Sequence, residues 1–121
     1  QPDTGQKVDV VSEWPMFRFA YRQFAGHQSL VGNFTVPVSD PLPVRSAPRW
    51  FELRGNGTSW TLFQEGTYDP DATAHRFMGS IAQDREGSIA LGYSAMSGTV
   101  SPSIRFVRWT PRKGSEGSGT G

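Results

Sequence analysis

Apolar and polar residues alternate with a period of two through most of the chain, most clearly from His75 to Ser94. Phe77, Gly79 and Ile81 alternate with Arg76, Met78 and Ser80, and Ile89, Leu91 and Tyr93 alternate with Ser88, Ala90 and Gly92. A pleated strand sends successive side chains to opposite faces, so this pattern predicts two strands. Between them sits Asp84-Arg-Glu-Gly87. An Asp closes such a turn through its own carboxylate, and Gly supplies the positive φ that returns the chain. Asp84 and Gly87 are therefore the predicted structural turn of a hairpin. Small residues at Gly79, Ser80, Ala82, Ala90 and Gly92 predict close approach of backbone or of another sheet.

The same period recurs elsewhere. Phe17 to Phe24 alternates aromatic and polar residues, Ala25-Gly-His27 reads as a turn, and Ser29 to Val36 reads as the return strand. Pro37 to Pro48 holds four prolines and is predicted as a surface loop. Strands at 49–54 and 59–64 flank Gly55-Asn-Gly57, a hairpin signal. Residues 66–74 read as a loop with Asp-Pro turn chemistry, and Ser103 to Trp109 as a last strand. No window has helical periodicity, so the chain is predicted to be all-β. Val8-Asp-Val-Val11 is the one apolar alternation in the polar first 13 residues, a lead-in able to add an edge strand.

Laying the chain over itself suggests a repeat. Arg18 to Gly26 with Ser29-Leu-Val-Gly-Asn33 aligns with Arg76 to Gly87 with Ser88-Ile-Ala-Leu-Gly92. Pro48-Arg-Trp-Phe-Glu-Leu53 aligns with Pro102-Ser-Ile-Arg-Phe-Val107. The units lie roughly 55–60 residues apart, near the period of propeller blades with one long loop added. Four antiparallel strands make one blade. The predicted fold is thus all-β with antiparallel four-stranded blade-like sheets, about two β-propeller blades; a compact β-sandwich or barrel is the alternative. The division is a lead-in or edge strand at 1–13, a first blade-like repeat at 14–66, a second at 67–109 and a flexible Gly/Ser-rich tail at 110–121.

Phe17-Arg-Phe-Ala-Tyr-Arg22, His27-Gln-Ser-Leu-Val31, Gly66-Thr-Tyr68, His75 to Ala82, Ile89 to Ser94 and Pro102-Ser-Ile-Arg105 carry a resemblance over roughly residues 14–107. The chain resembles a segment of large uncharacterised exported bacterial proteins that carry propeller-type repeats. The resemblance implies a propeller-type fold and an extracellular or cell-surface location, and it transfers no activity. Those proteins continue on both sides, which with the start at Gln1 implies a fragment or processed product. Asp84 and Gly87 also show a weaker likeness to the Asp-box turn of sialidase-type propellers. The spacing is one residue longer, and Ala90 or Leu91 stands where the box has Trp. That box is a structural turn, so the likeness implies no catalysis.

Composition narrows the function classes. With 12 Lys and Arg against 11 Asp and Glu, the net charge of +1 provides no field to gather nucleic acid or an anionic membrane. No run reaches the length of a transmembrane helix. Cysteine is absent, which excludes disulfides and Cys-based metal or redox sites. No nucleophile elbow, P-loop or zinc-helix motif occurs. The apolar content is low at 36 %, but four Trp, eight Phe and three Tyr supply large buried areas.

Several residues carry candidate chemistry. Trp50 and Trp109 alternate with charged neighbours and would stack on sugars if a ring face were exposed; sheet-to-sheet packing is the competing use. Arg49 and Arg105 belong to a set of strand arginines with Arg18, Arg22, Arg54, Arg76 and Arg108. Such a set would hold a carboxylate or sulfate, or simply face solvent and nearby Glu52, Glu65, Asp84 and Glu86. His27 and His75, with Asp69 or Asp71 as a third ligand, are a conceivable metal set, and Asp69-Pro-Asp71 a conceivable calcium loop, although strand-edge and turn roles explain both. Glu52 and Glu65 can be imagined as a glycosidase pair, although nothing in the sequence sets their separation. Asn33 and Asn56 begin glycosylation sequons, which matter only in a eukaryotic secretory pathway.

These features predict no cofactor, no metal and no catalytic residue. The expected role is a non-enzymatic structural or protein-interaction module of an exported β-propeller-type protein. Its expected partner is other β-structure, from the same polypeptide, identical copies or another chain. A glycan-binding module is the first alternative, and a fragment of a sialidase-like or other glycoside-processing enzyme the second. Two blades cannot close a ring, so association is expected at micromolar concentration.

Overall fold

The computed structural model describes residues 15–16, 19–38 and 45–110. Among them are seven strands and no helix: β1 Ala20–Gln23, β2 Gln28–Val38, β3 Arg45–Gly55, β4 Trp60–Thr67, β5 His75–Gln83, β6 Ile89–Met96 and β7 Ser103–Trp109. They form two antiparallel sheets in chain order, β1-β2-β3-β4 and β5-β6-β7. Neither sheet closes, and the two pack face to face with β5 lying over β2 and β3.

Alternation decides what each face does. In the first sheet, the pairs Val31↔Glu52 and Asn33↔Trp50 put one row of side chains on the inner face. Leu30↔Leu53 and Gly32↔Phe51 put the other row outside. In the second sheet, Ile89↔Trp109 and Leu91↔Val107 point inward, while Ala90↔Arg108 and Gly92↔Phe106 point outward. The core between the sheets is Val31, Trp50, Ile81, Ile89, Leu91, Tyr93 and Ala95, with Tyr68, Val107 and Trp109 packed against it. Each large aliphatic or aromatic side chain removed from water here contributes about 1.5–3 kcal/mol.

The predicted turns at Gly55-Asn-Gly57 and Asp84–Gly87 are present, and their chemistry is local. In the β5–β6 turn the Asp84 carboxylate accepts from the Glu86 and Ser88 amides, both at 2.9 Å. Gly87 adopts φ +90°, a conformation that a side chain would strain. In the β3–β4 turn the Asn56 side chain accepts from the Thr58 and Ser59 amides, both at 3.0 Å.

The predicted loop from Pro37 to Pro48 requires correction. Pro37 and Val38 end β2, Arg45 to Pro48 begin β3, and the two segments pair, with Thr35 opposite Pro48 and Pro37 opposite Ser46. Two prolines fit in paired strands because their missing N–H groups face away from that pairing. Pro48 accepts from the Tyr68 amide at 2.9 Å, so its backbone faces β4; it returns no N–H, and the β3–β4 register ends at Arg49↔Thr67. By alternation Pro37 turns its nitrogen to the far edge of β2, beyond the β1 pairing. The expectations for residues 1–13 and for the tail beyond Thr110 lie outside the described residues.

Close approach of the sheets is centred on Gly79. A Cβ there would collide with the Asn33 side chain and lie 3.3 Å from Leu91. At Gly92 a Cβ would meet nothing nearer than 3.9 Å, so the predicted close approach does not extend there.

Candidate functional site

The predicted aromatic and arginine residues do not converge on one site. Trp50 is 2 % exposed, and the Trp109 ring stacks on it with centroids 4.9 Å apart. The pair joins β3 to β7 across the core and leaves Trp50 no face for a sugar. Arg49 lies on the outer face of the first sheet, bonded to Glu65 at 3.0 Å and to Thr67 at 2.8 Å. Arg105 is exposed on β7, opposite Tyr93. Asp84 and Gly87 form the turn described above, where Arg108 adds a 3.0 Å ion pair to Asp84. Partial burial pushes the Asp84 carboxyl up, but the Ser88 and Glu86 amides and the Arg108 guanidinium outweigh it and hold the group below the usual carboxylate range.

The imagined carboxylate pair is separated by the pleat. Glu52 lies opposite Gln64 and Phe51 opposite Glu65, so Glu52 faces the core and Glu65 the outer side. No shared cleft exists for an acid and a nucleophile. Glu52 is instead fully buried in a polar knot between the sheets. Ser29 donates to it at 2.9 Å, Gln83 at 2.7 Å and Gln64 at 3.2 Å, and the Arg54 guanidinium lies 3.4 Å away. A buried carboxylate persists only when its lone pairs and charge are met in this way. Sequence reasoning missed this knot. The available signal was a Glu flanked by Phe51 and Leu53, at an inward position of the alternation.

The histidine and aspartate candidates have other uses. Asp69 takes Arg45 at 2.7 Å and Arg76 at 3.6 Å; Asp71 takes Arg76 at 2.8 Å and Thr73 at 2.7 Å. This chain of alternating charges ties the β4–β5 connection to both sheets, with Arg76 only 3 % exposed. Thr73, through hydroxyl and amide, and then Arg76 hold the Asp71 carboxyl well below its usual range. His27 stacks on Phe24 at 4.9 Å, and burial followed by the nearby Arg54 charge lowers its pKa against the pull of Glu52. Among the described residues no three His, Asp or Glu side chains gather as a metal site. A shallow hollow beside His27, between the β1–β2 and β3–β4 turns, is lined by Gln23, Gln28 and Asn56 and holds no acid–base pair.

What remains is the outer surface of the first sheet. Phe19, Tyr21 and Leu62 are 50 %, 56 % and 52 % exposed there. The Phe51 ring lies 6.0 Å from Phe19 and 6.4 Å from Phe34, and Leu30 and Leu53 fill in beside it, half-buried. A Cβ at Gly32 would strike both Phe51 and Phe19, so the rings converge over bare backbone. An apolar face of this kind typically marks an interaction surface. Comparison with protein-family models, curated proteins and solved structures finds no match. The candidate site therefore rests on this face alone.

Proposed function

We propose that the chain is a non-enzymatic structural or protein-interaction module that docks through the outer face of its four-stranded sheet onto further β-structure. The observation that carries the reading is the apolar row Phe19, Tyr21, Phe51 and Leu62, half or more exposed at three of its four positions. In this reading the two sheets are successive blades of a propeller-type assembly, the second without a fourth strand among the described residues. The same chain-order meander in both sheets supports it. The resemblance to exported bacterial proteins supports an extracellular or cell-surface location in this reading. The glycan-binding alternative loses its strongest support with Trp50 in the core, and the hydrolase alternative with Glu52 and Glu65 on opposite faces.

Binding of an apolar fluorescent dye at dilute protein concentration tests the reading, beside a glycan array. Dye fluorescence is expected with the wild type and is expected to fall with Leu62→Ser and Tyr21→Ser, with no glycan signal. A glycan signal that Arg105→Ala abolishes, together with absent dye binding, would overturn it.

A further inference from the structure

The two sheets are stacked in the same sense, and that leaves a matched pair of faces. Aligning the strands by their place in each meander and by sequence sets β2 on β6 and β3 on β7. Leu30, Phe34 and Leu53 then correspond to Ile89, Tyr93 and Val107. The first three line the outer face of the first sheet; the second three line the inner face of the second. Val31, Trp50 and Glu52 correspond in turn to Ala90, Ile104 and Phe106. Here the first set faces inward and the second outward. A pair of sheets related by a two-fold axis would bury equivalent rows against each other. These sheets bury non-equivalent rows, front to back.

Front-to-back stacking is open at both ends. The outer face of the first sheet is the counterpart of a surface that, on the second sheet, is covered by a sheet. The outer face of the second sheet is the counterpart of the surface that does the covering. Its shape suits that role. Ala90, Gly92 and Ser94 form a low floor on β6, and Ile104 and Phe106 stand up from β7 at 89 % and 80 % exposure. Opposite, the first sheet offers bulky rings over Gly32. Small residues facing large ones is the pattern by which sheets interdigitate.

We infer that the occupant of the first sheet's outer face is a second copy of this chain, which seats the outer face of its second sheet there. The inference rests on the docking reading above and names its partner. With strands about 4.8 Å apart and about 3.4 Å per residue, a face of roughly 20 by 25 Å buries about 1,000 Å² over both copies, the lower end for specific interfaces. The complex is accordingly weak and concentration-dependent, and its two contacting patches differ, so each copy retains one free face.

Sedimentation of the full chain, across roughly two decades of micromolar concentration, tests this with two variants. One carries Ile104→Asp and Phe106→Asp, which disables the second sheet's face; the other carries Tyr21→Asp and Leu62→Asp, which disables the first. Wild type is expected to associate with rising concentration. Each variant alone is expected to stay monomeric, weakened at least about tenfold, while an equimolar mixture regains a one-to-one dimer. If either pair fails to fold by circular dichroism, Phe106→Ser and Leu62→Ser at the same exposed positions serve instead. Dimerisation of one variant by itself would mean equivalent faces meet, and would overturn the inference. So would a wild-type monomer throughout, whether the face is covered by residues 1–14 of the same chain or awaits a different protein. In that outcome, persistent dye binding at the first sheet leaves the docking reading standing, and loss of dye binding removes both.

Discussion

The Gln83 side-chain amide donates a 2.7 Å hydrogen bond to the Glu52 carboxylate, linking the edge strand of one sheet to an interior strand of the other. Ser29 and Gln64 reach the same carboxylate, so one buried anion organises three donors from three strands. The apolar core alone would let the sheets slide; this knot fixes where they meet.

Glu52→Ala is expected to destabilise the fold by about 3 kcal/mol, because it strands the Gln83 and Gln64 amides and the Ser29 hydroxyl in the interior. Gln83→Ala, which leaves the carboxylate its other donors, is expected to cost less. Urea unfolding of both variants measures this; a Glu52→Ala midpoint equal to wild type would mean the knot is not buried.

Gly87→Val is expected to cost about 1–3 kcal/mol, since a β-branched residue is strained at φ +90°. Gly87→Asn, which tolerates this region, is expected to lose less. Thermal melts of the pair check the turn, and equal midpoints for Val and Gly would show that it is built otherwise.

How much of this was legible in the sequence depended on whether the cause was local. The Asp84–Gly87 turn, the Asn56 turn and the inward row of β6 follow from alternation and turn chemistry within a few residues. In β5 a bulge between Phe77 and Ser80, with Met78 at φ +53°, breaks the expected row, setting Phe77 opposite Ser94 and Arg76 inward opposite Ala95. The strand prolines misled because Pro is harmless in a ladder when its nitrogen faces an open or terminating side. That orientation is a property of the pairing. The Glu52 knot and the Trp50–Trp109 stack needed to know which strand lies across the core, and no local pattern encodes it. Alternation showed that Trp50 and Glu52 share a face, but not that the face is covered.

Stability is expected to fall on acidification in two stages. His27 has its folded pKa lowered below 6.5, so its contribution is present above pH 6.5 and is lost as pH falls through the folded value. Asp71 and Asp84 are lowered from 3.8; their contribution is present above that value and is lost as pH falls below it. Thermal midpoints across the acid range are expected to step down twice. His27→Phe should remove the upper step and Asp71→Asn should shrink the lower. A midpoint that rises on acidification through pH 6.5 would contradict the His27 assignment.

The central proposal is that the second sheet of another copy covers the first sheet's outer face, and hydroxyl-radical footprinting against protein concentration tests it most directly. The account predicts that Phe19, Tyr21 and Leu62 on one sheet and Phe106 on the other become protected together as concentration rises. Labelling that stays constant on all four across the range, or protection confined to one of the two faces, would contradict it.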